Sequence, residues 1–274
     1  MTARNENPGP ETVPVRPDDR GPGRPEHPGP GGPGADAAAP PARWEHLAPG
    51  VARRRLPGWD ATVGAIAGDG GTLLVDSGSS LREGAGIRRE VVELFGRPVT
   101  HVALTHGHFD HVLGTAAFAG VRVYGAVGLA GRLAEGREAL RGGALAQGLS
   151  PHDTDEALDV LVVPDHPVSG ELTLTLGERE VLLANLGPAH SGHDLVVCVP
   201  GEREVVFCGD LVEESGEPQA GRDAVPARWP AALDRLLELG GEDARYVPGH
   251  GAVVDADFVR AQRDQLARRF GVGG

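Results

Sequence analysis

From Trp44 onward, short apolar runs alternate with stripes at helical spacing, and the order of the two kinds predicts the fold. The stretch ATVGAIAGDGGTLLVDSGS reads as a strand, a tight glycine turn and a second strand ending at Asp76. LREGAGIRREVVELFG predicts a helix over 82–95, stopped by Gly96 and Pro98. VTHVALTH is a strand, HVLGTAAFAG a short helix and VRVYG another strand. Residues 128–166 hold one predicted helix, in LAGRLAEGREAL, and a polar, helix-prone insert, SPHDTDEALDVLV. Strands return in ELTLTLGERE, VLLANLG, DLVVCVP and EVVFCGD, the last two joined as a hairpin through PGERE. ARWPAALDRLLELG predicts a helix, ARYVPGH a strand running into a loop, and DADFVRAQRDQLARRF a helix. There are thus two series, 44–125 and 168–270, each a sheet covered by helices. Together they predict an α/β fold in four layers, an αβ/βα sandwich.

Residues 1–43 follow neither period. They are rich in proline and glycine and hold almost no large apolar side chain, so they cannot bury enough surface to offset the entropy of ordering. The expected organisation is a disordered tail over 1–43 and a globular domain over 44–274.

Composition narrows the function classes. The net charge of −13 argues against nucleic acid or an anionic membrane as the partner. Every basic residue is arginine, which excludes a Schiff-base lysine, a P-loop lysine and a Ser-Lys dyad. Cys198 and Cys208 form no CxxC pair and read as buried strand residues in a reducing compartment. No run of 18 apolar residues occurs, and MTARNENPGPETVPVRPDDR has no apolar signal core, so a cytoplasmic protein is expected.

Chemistry concentrates in THGHFDH, Thr105 to His111. Residues two apart in an extended segment share a side, so His106 and His108 aim together. Asp110 and His111 follow at the turn into a helix. Further on, GPAHSGHD carries His190, FCGD carries Asp210 and VPGHG carries His250, with Gly249 and Gly251 permitting close backbone approach. VDSG carries Asp76. Each lies where a strand is predicted to finish, which brings them to one edge of the sandwich. Imidazole and carboxylate together suit zinc, iron or manganese. Seven candidate ligands exceed the four that a closed structural site needs.

In these elements the chain resembles the metallo-β-lactamase-fold hydrolases, over nearly all of residues 44–270. The resemblance implies two divalent cations, zinc first, with iron or manganese as alternatives. One site would use His106, His108 and His190, the other Asp110, His111 and His250, with Asp210 bridging. Asp76 would orient a ligand histidine or the nearby backbone. A bridging aspartate is a feature of members resembling glyoxalase II, lactonases and RNA-processing nucleases, whereas the β-lactamases usually lack it. Flavodiiron-type members carry glutamate at the position of His108. Only about 24 residues follow His250, too few for the helical substrate domain of glyoxalase II. The expected activity is hydrolysis of an ester, thioester, lactone or amide of a small molecule by a metal-bridging hydroxide, with Asp110 as both ligand and proton acceptor. The alternatives are a mononuclear-iron oxidoreductase of the persulfide-dioxygenase type and a non-enzymatic metal-binding scaffold. Among the remaining residues, Asp194 is expected to accept from a ligand imidazole, and His193 to orient a ligand or touch substrate. His101, His152 and His166 are read as structural or surface residues, Trp229 as packing, and Glu213 and Glu214 as solvated. The sequence fixes no oligomeric state.

Overall fold

The computed structural model describes residues 43–272; the predicted tail lies outside them, save Arg43. Seven strands form one sheet in chain order: β1 (Glu45–Ala48), β2 (Val51–Arg55), β3 (Thr62–Gly68), β4 (Gly71–Val75), β5 (His101–Ala103), β6 (Arg122–Ala126) and β7 (His166–Val168). Five form the other, in the order β12-β11-β10-β9-β8: β8 (Glu171–Leu176), β9 (Arg179–Asn185), β10 (Leu195–Val199), β11 (Val205–Glu213) and β12 (Arg245–His250). The first sheet is covered by α1 (Leu81–Phe95), α3 (Leu129–Glu135), α4 (Arg137–Ala146) and α5 (Pro151–Asp159). The second is covered by α6 (Trp229–Gly240) and α7 (Ala256–Phe270). The short α2 (Phe109–Val112) follows β5.

The period-two alternation builds three apolar layers from these strands. In β4, Leu74 faces Ile87 and Val91 of α1, while Leu73 and Val75 face the opposite sheet. In β10, Leu195, Val197 and Val199 point to the inter-sheet core, and Val196 and Cys198 point to Trp229, Leu233 and Leu266 of the outer helices. Each such side chain, fully buried, contributes on the order of 1.5–3 kcal/mol. The predicted αβ/βα sandwich is therefore the observed one. Both cysteines are free and buried, and burial pushes Cys198 up to about 12.

Local chemistry explains the helix ends. Ser80 caps α1 by accepting from the Glu83 N–H, and Glu83 accepts in turn from the Ser79 N–H and hydroxyl. Gly96, at φ 68°, closes the helix in the left-handed region.

Several elements differ from the sequence reading. The β1–β2 hairpin was not predicted, because Arg53, Arg54 and Arg55 hide its alternation. Arg53 is nevertheless buried, with its guanidinium donating to Glu45 and to the Gly251 carbonyl. Gly136 breaks the single helix of LAGRLAEGREAL into α3 and α4. ELTLTLGERE is β8 plus the start of β9, turned at Gly177 with φ 77°. The first sheet also runs past residue 125 to take in β7, a three-residue strand that straddles the end of the 128–166 stretch and the start of the second series.

Candidate metal centre

The ends of β4, β5 and β9, with the register break in β11 and the end of β12, meet at one rim of the sandwich. From β5 the chain delivers Thr105 to His111, with His108 at the start of α2. His106 Nε2 lies 3.0 Å from His108 Nδ1, and His190 Nε2 lies 3.1 Å from the same atom. With Asp210 these form a group whose donor atoms all lie within 4.8 Å of one another. Asp110, His111 and His250 form a second such group. Asp210 touches both: Oδ2 is 3.6 Å from His106 Nε2, 3.5 Å from His190 Nε2 and 3.4 Å from His250 Nε2, and Oδ1 is 3.2 Å from His111 Nε2. Asp110 Oδ2 is 3.4 Å from His250 Nε2 and 3.6 Å from His111 Nε2.

Asp210 was expected where a strand finishes. It instead lies inside β11, which continues to Glu213. Gly209, at φ 53°, re-aims the strand there, and a Cβ on Gly249 would sit 1.8 Å from Asp210 Oδ1. Glycine at 249 is thus a condition for the carboxylate to occupy its place.

The far nitrogens of the imidazoles fix the tautomers, because carboxylate and carbonyl oxygens can only accept. His111 Nδ1 donates to Asp76 Oδ2 at 2.9 Å, and His250 Nδ1 donates to the Trp59 carbonyl at 2.7 Å. His108 Nε2 donates to the Asp223 carboxylate, 3.3 Å from each oxygen. The Thr105 hydroxyl donates to Asp76 Oδ2 at 2.7 Å and so accepts from His106 Nδ1 at 3.0 Å. Asp76 Oδ1 also accepts from the Thr105 N–H at 2.8 Å. In their neutral form these four rings therefore aim nitrogen lone pairs, together with two carboxylates, into one buried volume. His111 Nε2 and Asp210 Oδ1 are buried there 3.2 Å apart, and among the described residues neither makes a well-aligned hydrogen bond. Lone pairs at such separations repel unless positive charge lies between them, so the donor set fits cations.

The acid–base balance shows the same demand. Burial drives His190 down to about 4 and His106 well below its usual range. Burial also opposes protonation of His250, but the Asp210 and Asp110 carboxylates outweigh it and lift His250 to about 10. His111 is raised likewise. Burial would raise Asp210, yet His250, His111 and His106 hold it well below the carboxylate range.

Among the described residues Asp194 accepts from no imidazole. Its carboxylate takes the N–H groups of Ala189 and Ser191 and the Ser191 hydroxyl, at 2.7–3.1 Å, so it shapes the backbone of the His190 loop. His193 is half-buried beside Gly128, where an added Cβ would come within 2.6 Å of its Nε2. Its backbone N–H donates to Ser191, and among the described residues its ring bonds no candidate ligand. Asp223 and the Trp59 carbonyl were missed. Asp223 sits in a polar loop 115 residues from His108, with Arg132 Nη2 at 3.7 Å, and a backbone carbonyl leaves no mark in a sequence.

A family model described as the metallo-beta-lactamase superfamily matches residues 56–250. The structure is similar to the metallo-beta-lactamase from Pontibacter korlensis, with a TM-score of 0.65 at 20% identity over 82% of this chain and 98% of that one. It is similar also to the metallo-beta-lactamase FIM-1 from Pseudomonas aeruginosa in the mono-zinc form, with a TM-score of 0.65 at 21% identity over 85% and 97%. A curated relative, the metallo-beta-lactamase type 2 of Bacteroides fragilis, is 33% identical over 94 residues. That match spans 33% of this chain and only 37% of the relative. The solved structures speak to the fold alone, but the family match takes in both donor groups and well over half of the sequence: the chain belongs to the metallo-beta-lactamase superfamily.

Proposed function

We propose that the protein is a hydrolase that works with two divalent cations, zinc first, on an ester, thioester, lactone or amide of a small molecule. The observation that carries this reading is the position of Asp210, one carboxylate within 3.2–3.6 Å of the inward nitrogens of four histidines from both groups. His106, His108 and His190 would hold one cation, Asp110, His111 and His250 the other, and Asp210 both. When bound, such a pair polarises a substrate carbonyl and lowers the pKa of water toward ~7. The protein's own part is orientation and proton handling. Asp76, Thr105, Asp223 and the Trp59 carbonyl keep four imidazoles turned inward, so no ring must reorganise during turnover. Asp110 accepts the proton of the attacking water. An aspartate at 210 favours the glyoxalase II and lactonase-like branch over the β-lactamases.

Metal analysis of the purified protein, paired with a panel of chromogenic esters, thioesters, lactones and a cephalosporin, tests the reading. We expect close to two equivalents of metal, and turnover of an ester, thioester or lactone that a chelator abolishes. Iron with oxygen uptake and no hydrolysis would favour the oxidoreductase. Full turnover in metal-free protein would sink the reading.

A further inference from the structure

Four of the five clustered imidazoles have their far nitrogen held by an oxygen: His106 by Thr105, His108 by Asp223, His111 by Asp76 and His250 by the Trp59 carbonyl. His190 is the exception. Its Nε2 faces His108 and Asp210, which leaves the proton on Nδ1, and Nδ1 is buried with no hydrogen-bond partner among the described residues. Asp194, the carboxylate nearest in sequence, is spent on the loop backbone. A buried N–H with no acceptor is costly, so something else must compensate it. What lies against the ring is the indole of Trp229, 5.2 Å away between centroids and inclined at 72°, an edge-to-face pair.

Trp229 is itself rigidly held. It is fully buried at the start of α6, and its Nε1–H donates to the Leu211 carbonyl at 3.0 Å. Phe270 of α7 stacks on it, with centroids 6.4 Å apart and planes 21° from parallel. Leu211 directly follows Asp210, so one side chain touches both His190 and the strand that carries the shared carboxylate.

We propose that Trp229 is the positioning residue of His190: the indole face takes the place of the oxygen acceptor, receives the Nδ1–H and keeps Nε2 turned toward His106, His108 and Asp210. The negative face of an aromatic ring attracts an N–H donor, weakly but in a defined direction. The inference rests on reading the cluster as a metal centre.

The test compares the full-length wild type with Trp229→Phe and Trp229→Leu. Phenylalanine keeps an aromatic face and loses the bond to Leu211; leucine loses both. Zinc affinity is read by competition with a chromogenic chelator. The His190 Nδ1–H is read in a nitrogen-15 histidine spectrum of the zinc-loaded protein, assigned with His190→Asn. In the wild type that proton should resonate upfield of the other four ligand N–H protons, because it lies over a ring. Trp229→Phe should keep the upfield position and bind zinc within a few-fold of wild type. Trp229→Leu should lose the upfield position, and one zinc equivalent should weaken by roughly 10–100-fold, as when other groups that orient a ligand are removed. Equal weakening in both variants would assign the effect to the Leu211 bond and overturn the proposal, as would no weakening in either. If Trp229→Leu does not fold, the wild-type spectrum still decides: a His190 Nδ1–H as far downfield as the oxygen-bonded ones refutes it. A wild type that takes up no divalent metal fails at the earlier step, and the metal reading falls with the inference.

Discussion

Asp76 offers the sharpest test of how the cluster is organised, because one carboxylate sets two tautomers. It accepts from the Thr105 N–H, the Thr105 hydroxyl and His111 Nδ1, and through Thr105 it fixes His106. Asp76→Asn changes this with little else. The residue sits at φ 59°, a left-handed backbone that asparagine tolerates as well as aspartate does. If the amide oxygen keeps the Thr105 N–H, the amide NH2 faces the hydroxyl and His111. Thr105 must then turn its proton to His106, and both histidines must move theirs to Nε2, where they block the inward lone pairs. If the amide is flipped, a buried N–H meets a buried N–H. A hydrogen bond to a charged group is worth about 1.5–3 kcal/mol, and a buried unmatched donor costs about 1–3 kcal/mol. Since about 1.4 kcal/mol is tenfold in affinity, metal binding should weaken by roughly 10–100-fold. The metal-free variant should remain folded, with Tm lowered by a few degrees, at about 2–4 °C per kcal/mol for a domain of this size. Chelator competition measures the first and calorimetry of the metal-free protein the second. Wild-type affinity for both metal equivalents in Asp76→Asn would refute the tautomer argument.

Asp210→Asn removes the negative charge shared by both donor groups, so at least one cation should be lost and turnover should fall by orders of magnitude; metal counting and steady-state kinetics check both. Asp223→Ala frees His108 and should weaken one of the two metal equivalents by roughly 10–100-fold with little change in Tm, since the carboxylate is 28% exposed. Gly249→Ala should abolish metal binding at the shared carboxylate, because the new Cβ would fall 1.8 Å from Asp210 Oδ1; metal analysis of the folded variant reads this. Gly64→Ala should cost on the order of 1–3 kcal/mol by denaturant unfolding, because its Cβ would fall 2.4 Å from the Phe207 ring in the inter-sheet core.

Most of the architecture was legible because strand alternation and helix punctuation agree locally with the layers they build. Gly96 stops α1, and Leu73, Leu74 and Val75 sort themselves to two cores. The seven candidate ligands were legible because metal chemistry needs particular side chains, and those side chains are rarely crowded together for any other reason. The misses have physical causes. The arginine run of β2 obscured its alternation, since charge pairing with Glu45 and a carbonyl allowed Arg53 to be buried. Asp194 was assigned to an imidazole, but a short acidic side chain near a turn competes for its own backbone N–H groups, and here it takes those of Ala189 and Ser191. Asp223 carries no local signal, because what makes it important is a contact 115 residues away.

The groups that orient the imidazoles explain why a sandwich of two sheets suits this centre. His106, His108 and His111 come from the first sheet, and His190, Asp210 and His250 from the second. Their supports cross over: His250 of the second sheet is held by the Trp59 carbonyl in the β2–β3 loop, and His108 of the first by Asp223 in the loop after β11. Neither half can complete its own donor group, and neither can orient all of its own rings. The cluster's geometry is therefore set by how closely the sheets approach. One record of that approach near the cluster is Phe207, three residues before Asp210, lying against Gly64 of β3 where no side chain would fit. The inter-sheet core thus does more than stabilise the fold, because the same contact that packs the two halves together sets the spacing across which Asp210 reaches both groups.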